Sequence, residues 1–401
     1  SAWLAKVAQY QLQFEALPTE VRRVFQDAVA PAEEHVRAAN SALREGAVSV
    51  AYEEAVSAAM WALPNLRKAS MWNAFRTQGS NAALTQVAAS FTALQSLSAL
   101  KDRFNTELPQ TASAAVSFLD AYSNFVTASA EAEAAERELA YLKNRAATMK
   151  ADDVVARLGS AVHHIATAEV FIDIANNEMA MFLDQGTGSP PSVQVLAALG
   201  DMLRRAGEAT IAAFEAVYVS PNAQAYNVRD EVFKDVLMES DSDYLLAAYS
   251  VGHGISRTGS DAASAYAALG SGLNSYALGM KLMSKYYSLA AEVDQGGRVT
   301  SYGRLGALDN MLRLAERRAD DLLGTSKEPA LPALYYADNA PRFRNDADPD
   351  RKMSALFYYW QAAILSSVMA NLTGEYAQRI QPGLQATSPN AAFLAANGFR
   401  P

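Results

Sequence analysis

Apolar residues recur three and four positions apart along most of this chain, the spacing that lines one face of a helix. Tyr266, Leu269, Leu273, Tyr276, Met280, Met283 and Tyr287 form one such stripe; Leu84, Val87, Phe91, Leu94, Leu97, Leu100 and Phe104 form another. Alternating β-branched runs broken by Asn-Gly or Asp-Gly are nearly absent, while Ala, Leu, Glu, Arg and Met dominate. The pattern predicts an all-α fold of long antiparallel helices, packed as a multi-helix bundle or an irregular helical array.

Breakers set the expected helix ends. They predict helices over about 2–16, from Thr19 onward with a kink at Pro31, over 49–78 with a bend at Pro64, and over 80–106. A long helix then follows from near Pro109 to near Lys150, with Glu133 and Arg137 one turn apart for an ion pair. Asp152-Asp153 opens the next, reaching about Leu183. Further helices are expected at about 192–219, 228–256, 258–293, 301–324 and 349–380, with a Pro-rich irregular segment over about 325–348. Met60-Trp61 and Met71-Trp72, three turns apart, read as core.

Gly186-Thr187-Gly188-Ser189-Pro190-Pro191 is the strongest break. It predicts an N-terminal helical half, 1–185, and a C-terminal half, 192–401, the two forming either separate domains or one continuous domain. A short similarity between Ala198–Ala206 and Ala307–Ala315 hints at a duplication, but the small alphabet that amphipathic helices reuse accounts for it better. The stretch around 240–280 is rich in glycine, including Gly270, Gly272 and Gly279, and Ser271, Ser275 and Gly279 stand four residues apart, which predicts a close helix–helix contact. A membrane-inserting role for the surrounding 240–280 stretch is opposed by Arg257, Asp261 and many hydroxyls.

Composition narrows the function classes. No cysteine occurs among the 401 residues, which excludes disulfides, thiolate metal sites and thiol nucleophiles. The net charge of −9 is spread in short mixed runs without a basic, aromatic-laced stretch, so no nucleic-acid partner is expected. No apolar run is long enough for a transmembrane span, and the start lacks the regions of a signal peptide. Arg outnumbers Lys 24 to 10 in an Ala-rich chain, as in a GC-rich bacterium. Freedom from cysteine suits export to a periplasm or cell surface, and fits a cytosolic protein without thiol chemistry equally well.

Candidate chemistry is sparse. Of His35, His163, His164 and His253, none stands in a metal-binding motif; adjacent His163 and His164 point about 100° apart on a helix. Glu169 and Asp173 share that segment without completing a ligand face. The glycines of 252–259 have phosphate-loop spacing, but Ser260 replaces the lysine. Asp346-Ala347-Asp348-Pro349-Asp350 starts like a calcium loop, yet Arg351 and Phe357 occupy the required glycine and glutamate positions. Capping of the last helix by Asp348, with Pro349 as its first residue, explains these carboxylates better. Gly324 breaks an isoprenoid-type Asp box at Asp320-Asp321. No metal, cofactor or catalytic residue is therefore assigned.

One stretch combines an extended loop with the residue types that anchor interfaces. Tyr335, Tyr336, Arg342 and Arg344, with Tyr358, Tyr359 and Trp360 of the following helix, form the candidate binding surface. The alternative is a loop stapled to its own domain by aromatic packing. The leading functional expectation is a non-enzymatic structural or interaction protein, a scaffold or assembly subunit that docks a protein partner or copies of itself. The tail after Pro382, without a charge before Arg400, contributes to that expectation, since it frays unless held. The alternative function is a protein that binds a small apolar molecule or lipid in an inter-helix pocket.

Overall fold

The computed structural model describes residues 2–182, 190–192, 195–196, 199–200, 262–274, 305–326, 329–347 and 349–373. Among the described residues all regular structure is helical, and the fold is all-α. The first part of the chain forms α1 (Ala2–Glu15), α2 (Thr19–Arg44), α3 (Val48–Gln78), α4 (Ser80–Phe91), α5 (Ser96–Thr106), α6 (Ala112–Arg145) and α7 (Ala151–Phe182). Then come α8 (262–274), α9 (Leu305–Thr325), α10 (Leu331–Asn339), α11 (Pro341–Arg344) and α12 (Pro349–Thr373). The expected ends of the first three helices hold to within a residue.

Two expectations need correction. The helix foreseen over 80–106 is interrupted by a 3-10 turn, Thr92–Gln95. Beside it the Ser90 hydroxyl donates to the Gln86 carbonyl and Thr92 Oγ1 to the Ala89 carbonyl, bonds that compete with the helical ladder. The stripe survives the break: Val87, Leu94, Leu100 and Phe104 are all buried. The segment expected to be irregular over 325–348 carries α10 and α11, each with a proline in its first turn, where the missing N–H has no intrahelical partner to lose. Pro-rich sequence here starts helices. α2 and α3 contain Pro31 and Pro64 within their length, as their expected bounds required.

Connections between the early helices are short and use glycine where the backbone demands it. Gly46 ends α2 at φ 77°, and Gly79 separates α3 from α4 at φ 87°, a region that strains any side chain. Residues 183–189, with Gly186–Ser189 of the expected break, and residues 201–261, 275–304 and those after Thr373 lie outside the described residues, as do the 252–260 glycines, His253 and most of the Ala198–Ala206 motif.

The chain groups into two compact units: residues 1–103 with 124–177, and 104–123 with 178–401. Segment 104–123 thus joins the second unit, an assignment that a single division near 186–192 does not contain.

In the first unit α2 and α3 run antiparallel, since partners descend on one as they ascend on the other. Phe25 meets Trp72 edge-on, the Asn65 amide donates to the Ala28 carbonyl, and His35 Nδ1 meets Glu54. Alanines 32, 39, 55, 58, 59 and 62 fill the seam, joined by Trp3 and Val7 of α1 and by Ala166, Val170 and Ile174 of α7. Small side chains let the backbones approach, and the large residues of α1 and α7 close the core. α6 and α7 are antiparallel too, joined by Glu131–His164 and Glu138–Arg157. Glu133–Arg137 forms at 3.8 Å as its spacing predicts, fully in solvent. Met71 is core as expected, whereas Trp61 is 45% exposed.

The second unit is organised by aromatics. Phe104 packs edge-on against Phe118 and Tyr122, and Phe118 against the buried Tyr266 of α8. Tyr266, Leu269 and Leu273 are buried, as their stripe predicts. Gly270 brings α8 against Tyr122: a Cβ there would lie 2.6 Å from the ring. A close helix contact is thus made at Gly270, while Ser275 and Gly279 of the expected four-residue spacing lie outside the described residues; the Asn274 amide donates to the Ser123 carbonyl nearby at 2.9 Å.

Candidate functional site

The sequence-nominated residues lie in the second unit and divide between two acids, Asp120 for Tyr336 and Glu316 for Arg344 and Tyr359. Tyr335 and Tyr336 meet edge-on on α10 at 5.2 Å between centroids. Tyr336 packs against Phe357 and Tyr358 of α12, and Tyr358 stacks on Phe343 of α11 at 5.7 Å. The Tyr336 hydroxyl donates to Asp120 of α6. Arg342 donates to the buried Asn339, and Arg344 pairs with Glu316 of α9 at 2.7 Å. The Tyr359 hydroxyl donates to Glu316 as well, while Tyr359 and Trp360 are buried. These contacts tie α10 and α11 to their own unit.

The electrostatics follow from burial. Asp120 has little solvent, so its carboxyl is pushed from 3.8 up to about 7, against the opposing hydrogen bond from Tyr336. Tyr336 is raised well above the ordinary phenol value by burial, then by the Asp120, Glu178 and Tyr358 charges. Tyr359 is raised by burial and Glu316. A group that keeps its proton near neutrality suits acid–base chemistry, but the cavity described below lies elsewhere. Asp346, the first carboxylate of the calcium-like run, pairs with Arg351 at 3.1 Å.

A concave site exists instead in the first unit, where α1, α3, α4, α5 and α7 converge on a cavity of about 550 Å³. Leu63, Leu66, Met71, Val87, Val162 and Ile172 supply its apolar walls. Its charges come from α3 and α7: Arg67 donates to both oxygens of Glu169, and Asp173, one turn further, pairs with Lys6 of α1. Burial raises the Glu169 carboxyl against the pull of Arg67. Tyr10 of α1 is pushed to about 12 by burial, then by the Asp173 and Glu169 carboxylates, so its phenol stays neutral. Gln13, Ser70, Gln86, Ser90 and Ser96 complete the polar lining.

None of this cavity was nominated from sequence. The one visible signal was the Glu169/Asp173 pair at helical spacing, and its partners Arg67 and Lys6 lie 102 and 167 positions away. Nearby on the same helices, His163 is lowered by burial and by Lys68, and His164 is occupied by Glu131.

Compared with known proteins, the chain matches no family model, no curated protein and no solved structure. No helix among the described residues is long and apolar enough to cross a membrane.

Proposed function

We propose that this chain is a non-enzymatic helical binding protein whose first unit takes up a small, neutral, amphipathic molecule. The cavity between α1, α3, α4, α5 and α7 carries this reading. Its volume falls in the range of ligand sites, and its lining sets the side chains of Leu63, Leu66, Met71, Val87, Val162 and Ile172 beside hydroxyl, amide and charged groups. Its three charged lining residues are already paired, Arg67 with Glu169, and Asp173 with Lys6 of α1. An ionic ligand has to break one of these pairs and leave a carboxylate or cation without its partner, which is unfavourable away from water. Neutral hydroxyls and amides meet the glutamine, serine and tyrosine groups with no such loss.

A thermal-shift screen of neutral sugars, alkyl glycosides and aromatic amides tests the proposal. A saturating ligand raises the melting temperature of the native chain, stabilising it by about 2.7 kcal/mol at a hundredfold excess over Kd. Ser90→Trp, which fills the cavity from its wall, removes that rise. A shift that persists unchanged in the filled variant places the ligand elsewhere and sinks the assignment.

A second reading, the scaffold or assembly subunit, draws on a different observation. Leu12, Val24, Val48 and Trp61 of the first unit are between 45% and 69% exposed, large apolar side chains of the kind buried when proteins associate. Sedimentation across a hundredfold concentration range tests self-association. A monomer throughout leaves only a foreign protein partner for this reading.

A further inference from the structure

Arg67 lines the cavity of the first unit with most of its donors unused. Among the described residues its Nη2 donates to both oxygens of Glu169, its Nε is buried without a partner, and its Nη1 makes no hydrogen bond. A guanidinium carries N–H donors on all three nitrogens, and leaving them unmade away from water is unfavourable. One helical turn beyond Glu169, Asp173 accepts Lys6 on Oδ2 and nothing on Oδ1. The Tyr10 hydroxyl likewise makes no hydrogen bond, and it stays a neutral phenol within reach of the Asp173, Glu169 and Arg67 charges. A spare donor, a spare acceptor and a group able to act as either therefore line one space.

These spare groups sit in a balanced field. Arg67 is matched by Glu169 and Asp173 by Lys6, so a charged ligand finds no charge waiting for it. A carboxylate that reached Arg67 would also meet the Glu169 and Asp173 carboxylates, and an ammonium at Asp173 would meet Lys6 and Arg67. A neutral group with an acceptor and a donor side by side fits instead. Its carbonyl accepts from Arg67 Nη1, and its own N–H donates to Asp173 Oδ1. Glu169, which holds Arg67, and Asp173 stand one turn apart on α7, roughly 6 Å between Cβ atoms, a span that one such group with two hydrogen bonds can bridge. Leu63, Leu66 and Met71 line the same cavity and suit an apolar remainder.

We propose that this cavity recognises a neutral carboxamide on an apolar body, with Arg67 as donor to its carbonyl and Asp173 as acceptor of its N–H. This rests on the binding role assigned above to the cavity and names the ligand class within it. A ketone or an ester supplies only half of the pattern, because it leaves Asp173 Oδ1 unpaired.

The test uses the full chain and three probes of one shape: 3-phenylpropanamide, 4-phenylbutan-2-one, which puts a methyl group in place of the amide nitrogen, and 3-phenylpropanoate. Affinities are measured by NMR titration. The amide should bind about tenfold tighter than the ketone, the effect of one hydrogen bond to a charged acceptor, and the propanoate should bind weakest. Asp173→Ala should bring amide and ketone within about twofold of each other, and Ser90→Trp, which fills the cavity, should abolish binding of all three. The native comparison requires no variant to fold. Equal affinity for amide and ketone, a propanoate that matches the amide, or an amide preference that survives Asp173→Ala overturns the carboxamide assignment. Absence of binding by all three overturns it too, while the thermal-shift screen decides separately whether the cavity binds another neutral class. Binding that survives Ser90→Trp overturns the cavity reading along with it.

Discussion

The Tyr336 hydroxyl donates to the Asp120 carboxyl at 3.2 Å across 216 positions of sequence, tying α10 to the start of α6 inside one unit. Tyr336 was nominated from sequence as part of a binding surface; its partner was not nominated at all. The pair gives the second unit a titratable joint.

That joint sets a pH dependence. Folded, Asp120 keeps its proton up to about pH 7; unfolded, it loses it near 3.8. Between these values the folded state holds more protons than the unfolded one, so this group lowers stability as pH rises from about 4 to about 7, and adds no slope outside that window. The fall is on the order of a few kcal/mol. Urea unfolding at half-unit pH steps should show it, and Asp120→Asn should flatten it. An unchanged slope in Asp120→Asn assigns the dependence to another group.

Gly270 predicts a steric failure. A Cβ would sit 2.6, 2.8 and 2.9 Å from Tyr122 Cδ1, Cβ and Cγ, atoms close to the α6 backbone that cannot swing away. Gly270→Ala should destabilise by about 1–3 kcal/mol despite the better helix propensity of alanine. Combining it with Tyr122→Ala should cost less than the sum of the two single changes, because the clash is gone. Additive denaturation midpoints would contradict the packing described.

The Arg67–Glu169 pair is largely shielded, with side chains 23% and 16% exposed. Arg67→Met leaves Glu169 without its counter-charge and should cost about 2–4 kcal/mol, discounted from the fully buried case for the residual solvent. Arg67→Met with Glu169→Gln should recover part of that loss. A double variant as unstable as the single one would mean that packing of the arginine stem, and not charge, is what the site loses.

Two residues two positions apart on α3 should behave oppositely. Leu63 is 4% exposed and Trp61 45%. Leu63→Ala should cost about 2–5 kcal/mol, whereas Trp61→Lys should stay within about 0.5 kcal/mol, as measured by chemical denaturation. A large loss at Trp61 would place it in an interface of the assembled protein.

Most of the secondary structure of the described residues was legible along the chain, because periodicity and breakers are local. The 3.6-residue stripe through Val87, Leu94, Leu100 and Phe104 names its buried face without reference to any partner. Where local rules competed, the sequence misled: Thr92 and the prolines at 332 and 341 carry signals that serve a break or a start equally. Trp61 was misread for a related reason, since hydrophobicity reports what a residue prefers and not whether a neighbour covers it.

By itself, then, the sequence determined that the chain is helical, where its early helices begin and end, that it is free of thiol chemistry, and which apolar faces seek partners. Only the tertiary structure decided which partners they found. It took Phe104 and α6's first turns into the second unit, turned Tyr359 and Trp360 inward, and set Tyr10 in the wall of a cavity. The physical reason is that burial and charge pairing are properties of residues distant in sequence: Lys6 reads as an ordinary surface lysine until α7 sets Asp173 against it. A candidate site assembled from such pairs leaves no local pattern to read.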